Sequence, residues 1–225
     1  MNKPYNPEPI GHIYLVDDDA DIQSHLGTLL QRYGYSVSLY NSAEAFLQQS
    51  IEITPAVLLL DVRMPRLSGV ELQERLNEIR RGTPVILMSG DCRREQIIEG
   101  FRNGAIDFLW KPFPIPKLFE AIDNAIKKDM AREELMRKVH ALSQRMEKLT
   151  PREHAFMMRM LDGYSNREIA QLEGVTADNI KKYRSTILDK MQAETLAELI
   201  VMCREAGVSP ENGHPSLDEA AAAVK

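Results

Sequence analysis

The chain has 225 residues, of which 44% are hydrophobic and 27% are charged, and this composition is typical of a folded globular protein. It excludes a collagen-like repeat and wholesale disorder, and the longest apolar runs, such as residues 56–60, are shorter than the roughly 18 residues of a membrane span. The net charge of −5 argues against a non-specific nucleic-acid binder, so DNA contact would have to rest on a local patch of cations.

The N-terminus and the cysteines favour a cytoplasmic protein. Residues 1–10 contain three prolines and no apolar core, which is unlike a signal peptide. Cys92 and Cys203 lie far apart in the chain, and such spacing favours two free thiols in a reducing compartment over a disulfide or a metal site. We therefore expect no membrane association.

Short apolar runs alternate with helical patterns in the first half of the chain. The predicted strands are residues 12–16, 36–40, 57–60, 85–88 and 105–109, and the predicted helices are 20–32, 43–49, 68–80, 94–103 and the segment from Pro116 onward. Five β–α units in succession predict an α/β fold, a five-stranded doubly wound parallel sheet of the flavodoxin-like kind, over residues 10–125.

Residues 126–148 form a helical linker. Leu135, Val139, Leu142, Met146 and Leu149 recur at alternating spacings of four and three, among many charges. This single apolar seam is typical of a short coiled coil, and it is equally typical of one helix packed on a neighbouring domain. The pattern leaves both structures open.

A second, all-helical module is predicted over residues 149–208. It opens with Thr150 as a helix cap, Pro151 in the first turn and Glu153 as the reciprocal capping residue. The tail, residues 209–225, is predicted to be disordered, with a brief helix over 217–224.

Acidic residues follow two of the predicted strands. Asp17, Asp18 and Asp19 come after the first strand, with Asp19 or Asp21 as the cap of the next helix, and Asp61 comes after the third strand. In the common strand order 2-1-3-4-5, strands one and three are neighbours, so these acids converge at the carboxyl edge of the sheet. Clustered carboxylates raise each other's pKa unless a cation neutralises them, and Mg²⁺ is the hard cation that oxygen ligands favour.

Two further strand ends complete a set of groups suited to phosphoryl transfer. Ser89 supplies a hydroxyl after the fourth strand, and Lys111 supplies an ammonium after the fifth. A phosphoryl group on Asp61 would find a metal ion, a hydroxyl and a lysine around its oxygens. Each residue alone is more often a cap or a solvated charge, but four compatible groups at four strand ends predict a site.

These motifs resemble the receiver domain of two-component response regulators. The resemblance rests on residues 16–19 (VDDD), 60–65 (LDVRMP) with Ser68 and Gly69, 88–90 (MSG) and 107–113 (DFLWKPF). It implies that Asp61 is the phosphoacceptor and that Mg²⁺ is held by Asp17, Asp18, Asp61 and the backbone carbonyl of Arg63. It also implies that Ser89 is the switch hydroxyl, that Lys111 binds the phosphoryl group, and that the peptide before Pro112 is cis.

Three further residues near the predicted pocket have roles that the sequence suggests. Phe108 matches the family's rotamer-switching aromatic, although an ordinary place at the core edge is an equally good interpretation. Arg63 and Asp91 each lie two residues beyond a pocket residue. We hypothesise that these two side chains pair and restrict the access of hydrolytic water.

The second module has the pattern of a helix-turn-helix. Residues 163–172 begin a helix pair whose apolar side carries Ile169, Ala170 and Leu172, and residues 174–176 form a tight turn with Thr176 as the next cap. The following helix, residues 177–191, is predicted to bury Ile180, Ile187, Leu188 and Met191. Its other faces carry Lys181, Lys182, Arg184, Ser185 and Lys190, as in a helix that enters the major groove.

This module resembles the LuxR-type DNA-binding domain of the NarL/FixJ response regulators, and the whole chain is most similar to the FixJ-like branch. The resemblance implies that Lys181, Lys182 and Ser185 face the groove and that Asn179 and Arg184 contact phosphates. Asn179, Ile180 and Tyr183 depart from the family's usual residues, which puts base preference in doubt. The last helix, residues 195–206, has a stripe of Leu196, Leu199, Ile200 and Cys203, and in the family this helix pairs two monomers on DNA.

The resemblance thus implies a phosphorylation-dependent transcriptional regulator that binds double-stranded DNA as a homodimer. Its expected partners are a sensor histidine kinase and RNA polymerase. The receiver would catalyse its own phosphorylation and slow dephosphorylation, so we do not expect an enzyme in the usual sense. The alternatives are a phosphorylation-independent DNA-binding or scaffold protein with a vestigial receiver, and an aspartate-based phosphohydrolase, which would need a second acid at the position of Arg63.

Overall fold

The computed structural model describes residues 9–49, 53–79, 82–209, 211, 213–216 and 220. The chain divides into two compact units, residues 1–131 and 132–225. Most of the N-terminal segment 1–10, and the brief helix predicted over 217–224 apart from Ala220, lie outside the described residues.

The N-terminal unit contains a parallel sheet of five strands in the order β2-β1-β3-β4-β5, which confirms the predicted fold class. The strands are β1 (His12–Val16), β2 (Ser36–Tyr40), β3 (Ala56–Asp61), β4 (Val85–Ser89) and β5 (Asp107–Trp110). The helices are α1 (Ala20–Arg32), α2 (Ala43–Leu47), α3 (Gly69–Glu78), α4 (Arg94–Arg102) and the first part of α5 (Ile115–Met146).

The strand ends differ slightly from the prediction. Asp61 and Ser89 are the last residues of β3 and β4 rather than the first residues after them, because each still pairs with the neighbouring strand. The fifth strand begins at Asp107, two residues later than predicted, since Ala105 bonds back to the end of α4. Asp61 and Ser89 are therefore held in place by strand pairing within the sheet.

The sheet is buried on both faces. Tyr14, Val16, Leu58 and Leu60 belong to one apolar cluster, while their neighbours on the same strands, Ile13, Leu15, Val57 and Leu59, belong to a second. Since successive strand residues point to opposite faces, this burial explains why the strands are continuous apolar runs.

Polar caps fix where the helices begin at the carboxyl edge of the sheet. The side chain of Asp19 accepts hydrogen bonds from the backbone of Asp21 and Ile22, so Asp19, and not Asp21, caps α1. Ser68 and Glu71 form a reciprocal capping box at the start of α3. With these caps, α1 begins three residues after Asp17 and α3 begins eight residues after Asp61.

The regular secondary structure in the described part of the C-terminal unit is helical. The helices after α5 are α6 (Pro151–Leu161), α7 (Asn166–Glu173), α8 (Ala177–Met191) and α9 (Leu196–Glu205). The predicted capping box of Thr150 and Glu153 and the predicted cap Thr176 are confirmed. Among the described residues, no helix is both long and apolar enough to cross a membrane.

The apolar seam of the linker packs within the C-terminal unit. Leu142 and Met146 are buried in its core, and Val139 and Leu149 pack against that core. Residues 126–146 of the predicted linker lie in α5, which ends at Met146. Of the two structures that the pattern left open, the structure shows a helix packed on the neighbouring helices of this unit.

One core prediction is wrong. Leu172 was expected on the apolar side of α7, but it is 60% exposed. At 100° per residue, Glu173 lies closer than Leu172 to the direction of buried Ile169 and Ala170. Glu173 takes that place and forms an ion pair with Arg159 of α6.

His12 is a buried titratable residue at the start of β1. Its side chain is 4% exposed, and its ring nitrogens lie 2.6 Å from Ser36 Oγ and 3.0 Å from Ser38 Oγ. Burial lowers the pKa of His12 below its usual 6.5. The folded protein therefore favours the neutral imidazole.

We predict that acid weakens the fold through His12. Because the unfolded chain takes up the proton more readily, the contribution of His12 is complete above about pH 6.5 and is lost as the pH falls toward the lower pKa of the folded state. Urea unfolding between pH 7.5 and 5 should show a steeper loss of stability in wild type than in His12→Gln. Parallel pH profiles of the two proteins would contradict this role.

Candidate functional site

The carboxyl ends of β1, β3 and β5 bring three charged side chains together. Asp17 follows β1, Asp61 ends β3 and Lys111 follows β5. Lys111 Nζ lies 2.5 Å from Asp17 Oδ2 and 2.6 Å from Asp61 Oδ1, so one ammonium bridges both carboxylates. The peptide between Lys111 and Pro112 is cis, as the resemblance implied. The convergence predicted from the strand order is thus present.

The two carboxylates are almost fully removed from water. Asp17 is 1% exposed and Asp61 is 5% exposed. Burial raises the pKa of Asp61, and the negative charge of Asp17 adds to this, while the hydrogen bond from Lys111 opposes it. Burial alone would lower the pKa of Lys111, but its hydrogen bonds to Asp17 and Asp61 outweigh burial, so that pKa is raised. The site carries excess negative charge that a further cation would neutralise.

Backbone and side-chain hydrogen bonds fix the orientation of both acids. Asp17 Oδ1 accepts from the backbone N–H of Asp19 at 3.0 Å, and Asp61 Oδ2 accepts from that of Arg63 at 2.7 Å. Gln23 donates its amide to the carbonyls of Asp17 at 2.5 Å and Tyr40 at 2.9 Å. The role of Gln23 was not predicted from the sequence. Its position as a polar residue in the first turns of the helix after the acids was the one signal that could have indicated it.

The other predicted pocket residues differ in exposure, and in the part of the chain that the structure describes none of their side chains is hydrogen-bonded to the side chain of Asp17, Asp61 or Lys111. Asp18 is exposed, and within the described residues its side chain has no hydrogen-bonding partner. Ser89 is buried, and its hydroxyl donates to the carbonyl of Asp91 at 2.9 Å. Arg63 and Asp91 form the hypothesised ion pair, with side chains 60% and 80% exposed. Phe108 is half-buried against the core edge, edge-on to Trp110 with ring centroids 5.1 Å apart.

The donor set fits a hard divalent cation. Asp17 and Asp61 each present a carboxylate oxygen to the same ammonium, and Mg²⁺ favours oxygen ligands of this kind. The part of the chain that the structure describes contains no ready-made group of three His, Cys, Asp or Glu side chains around a metal position. Asp18, the third predicted acid, does not join the other two.

Gly69 allows α3 to begin directly against the pocket. A Cβ atom at this position would lie 2.2 Å from the backbone oxygen of Asp61. The Gly69 N–H also donates to the carbonyl of Val62 at 3.0 Å. Any larger residue would therefore push α3 away from the end of β3.

The second helix of the helix-turn-helix, α8, has a buried and an exposed side. Ile180, Ile187 and Met191 are fully buried. Asn179, Lys181, Lys182 and Ser185 are exposed, while Arg184 is partly exposed. Lys181 forms an exposed ion pair with Asp178 at 3.2 Å, an interaction that solvent screens. The predicted DNA-contacting residues thus lie on the solvent side of one helix.

Two polar residues of α8 have structural contacts. The ring of Tyr183 packs edge-on against Phe156 at 4.8 Å, and the guanidinium of Arg152 lies 5.6 Å from both rings. Lys190 Nζ donates to Glu153 Oε2 at 2.6 Å, and this contact lowers the pKa of Glu153. Lys190 is therefore neutralised within the protein, and Tyr183 belongs to the core edge.

Comparison with known protein families agrees with this architecture. Residues 13–123 match the response regulator receiver domain, and residues 147–203 match the bacterial regulatory proteins of the luxR family. The chain belongs to the two-component response regulators that join a receiver to a LuxR-type DNA-binding domain. Its function is phosphorylation-dependent regulation of transcription.

Individual relatives cover nearly the whole chain. The transcriptional regulatory protein FixJ of Bradyrhizobium diazoefficiens is 34% identical over 88% of this chain and 97% of its own length. Nodulation protein W of the same organism is 34% identical over 88% and 87%. The structure of the response regulator StyR aligns with a TM-score of 0.77 at 30% identity, covering 88% of this chain and 100% of StyR.

We predict that Gly69→Ala disrupts the pocket. The added methyl group collides with backbone at Asp61, so we expect a loss of roughly 1–3 kcal/mol in the free energy of unfolding. Gly90→Ala is the matched control, because its Cβ would meet no atom closer than 3.7 Å and its stability should change by less than about 0.5 kcal/mol. Urea unfolding measures both variants, and equal stabilities would refute the close approach.

Proposed function

We propose that Asp61 accepts a phosphoryl group from a phosphohistidine of a sensor histidine kinase. An Asp61 carboxylate oxygen forms a bond to phosphorus as the bond from phosphorus to the imidazole nitrogen breaks. The electron pair of the broken bond leaves with the imidazole, which takes up a proton from water, and the product is an aspartyl phosphate. The observation that carries this proposal is the Lys111 ammonium, held 2.6 Å from the oxygen of a buried carboxylate at the edge of the sheet.

Lys111 and Ser89 would stabilise the transferred group. The Lys111 ammonium already faces the Asp61 carboxylate, so it is placed to neutralise the negative charge of phosphoryl oxygens without reorganisation. The Ser89 hydroxyl now donates to the Asp91 carbonyl. Turning that hydroxyl toward a phosphoryl oxygen would break this bond and release the loop after β4.

We propose Mg²⁺ as the cofactor. Asp17 and Asp61 would hold it directly with the backbone carbonyl of Arg63, and exposed Asp18 would act at the open side of the site. When bound, the ion neutralises the charge that accumulates on the phosphoryl oxygens. The carboxylates of this chain provide the oxygen ligands, and their burial explains why a further cation is favoured.

The ion pair of Arg63 and Asp91 would cover the entrance of the pocket. The two residues follow Asp61 and Ser89 by two positions, and their side chains form an exposed ion pair. An exposed pair of this kind adds little stability, so its effect would be on the access of hydrolytic water. We predict that Arg63→Ala shortens the lifetime of the aspartyl phosphate; equal dephosphorylation rates in wild type and Arg63→Ala would contradict this role.

Phosphorylation would act through the face formed by α4, β5 and α5. Phe108 would change its contacts at the core edge as the switch aromatic. The same face exposes large apolar side chains, namely Ile98, Phe101, Trp110 and Ile115, which are between 42% and 51% exposed. Exposed apolar patches of this kind are typical of protein interfaces, so we propose this face as the dimer surface.

The C-terminal unit would bind double-stranded DNA through α8. Lys181, Lys182 and Ser185 would face the major groove, and Asn179 and Arg184 would contact phosphates. A dimer on DNA, recruitment of RNA polymerase and a cytoplasmic location follow from the proposed role as a transcription regulator. The exposed helix surface supports the DNA contacts, since each of these five side chains reaches solvent at least partly.

We predict that acetyl phosphate with Mg²⁺ labels wild type stably and leaves Asp61→Asn at background. Asp21→Asn, which changes an exposed aspartate of α1, should be labelled like wild type, and a chelator of divalent cations should abolish labelling. Turnover of organic phosphates would indicate a phosphohydrolase, and no label at all would indicate a vestigial receiver. Either result would contradict the proposed function.

We predict that Lys181→Ala combined with Lys182→Ala weakens DNA binding and its salt dependence. The loss of two cations at the DNA surface should make the dependence of log affinity on log salt less steep, because cations beside the duplex displace condensed counterions. The matched control is Lys127→Ala combined with Lys128→Ala, an exposed lysine pair in α5 of the N-terminal unit. An unchanged slope in the α8 variant would refute this docking surface.

A further inference from the structure

The C-terminal end of α8 is held by a residue that lies outside the matched DNA-binding family segment. Arg145 Nη1 of α5 donates to the backbone carbonyl of Met191 at 3.3 Å. Met191 is the last residue of α8, and Gln192 follows in the left-handed conformation with φ 54°. The last carbonyls of a helix have no partner within the helix, so Arg145 satisfies one of them.

The contact is also electrostatically favourable. The carbonyl end of a helix carries partial negative charge, and a cation there stabilises the last turn. A second cation lies in the same turn, because Lys190 is anchored to Glu153 of α6 at 2.6 Å. The end of α8 is therefore tied to α5 through Arg145 and to α6 through Glu153.

The last turns of α5 form part of the same core as α8. Leu142 and Met146 are 2% and 8% exposed, in one cluster with Ile187 and Met191. Lys138 adds an ion pair of 2.8 Å to Glu205 at the end of α9. The matched luxR segment begins at residue 147, whereas the compact C-terminal unit begins at Arg132. Residues 132–146 are thus an integral helix of the DNA-binding unit.

We propose that Arg145 is a positioning residue for DNA binding, which sets the orientation of α8 by holding its C-terminal carbonyl. This inference rests on the proposed DNA contacts of α8. Arg145 acts through Met191 and not through DNA, so its removal should weaken binding without removing a phosphate contact. The conservative variant Arg145→Lys should retain most of the DNA affinity, because lysine keeps a cationic donor at the end of α8.

The test compares full-length variants on a DNA duplex selected from a random pool by the wild-type chain. Arg145→Gln should bind roughly three- to tenfold more weakly, as expected for the loss of one hydrogen bond, with an unchanged salt slope. Arg145→Lys should stay within about twofold of wild type. Arg137→Gln is the matched control, since Arg137 is 73% exposed and pairs only with Glu134 of its own helix among the described residues.

A second measurement keeps the test independent of affinity. Amide hydrogen exchange in Arg145→Gln should rise in the last turn of α8 and stay unchanged in the first turn. If that variant does not fold, Arg145→Met, which keeps the side-chain stem, takes its place. Wild-type affinity in Arg145→Gln, a slope reduced by about one, or unchanged exchange at the end of α8 would each overturn the proposal.

Failure of this inference is distinguishable from failure of the proposed DNA surface. Lys182→Ala, measured beside the Arg145 variants, should lower the salt slope if α8 docks on DNA, because it removes a cation from the DNA surface. An unchanged slope in Lys182→Ala would contradict the proposed contact between α8 and DNA. A reduced slope in Lys182→Ala together with wild-type binding by Arg145→Gln would contradict only the positioning role of Arg145.

Discussion

One ammonium shared by two buried carboxylates determines the properties of the receiver site. Asp17 and Asp61 are held by a parallel sheet whose strands end side by side, and among the described residues Lys111 is the one cation in ion-pair contact with them. Two buried carboxylates beside one cation leave an excess of negative charge that burial makes costly. The same imbalance favours a divalent cation, whose charge together with that of Lys111 would offset the negative charge of the proposed phosphoryl group.

Most of this site is predictable from the sequence, because its residues lie at strand ends. A run such as residues 12–16 is recognisable as a buried strand, and parallel strands all end at the same edge, so Asp17, Asp61 and Lys111 meet there. The caps of α1 and α6 were also predictable, since short polar side chains at helix starts have a local cause. Helix-capping preferences and the shared carboxyl edge of parallel strands were sufficient to predict these features.

Contacts between distant elements were not predictable in the same way. Leu172 is apolar and was therefore expected in the core, but it is exposed. The rotation of the helix places Glu173 on the buried side instead, where it forms an ion pair with Arg159 of α6. The roles of Gln23 and Arg145 depend on backbone carbonyls that are near only after folding. A polar side chain whose partner is a backbone atom leaves no signature in the sequence, because the partner is present at every residue.

The coupling between Lys111 and Asp61 is tested most directly by a double-mutant cycle. Urea unfolding at pH 7.5 without divalent cations would compare wild type, Lys111→Met, Asp61→Asn and the double variant. Since Lys111 neutralises buried charge, Lys111→Met should cost at least about 1 kcal/mol more in wild type than in the Asp61→Asn background. Additive effects of the two substitutions would show that the ammonium and the carboxylate do not depend on each other, and would contradict the account.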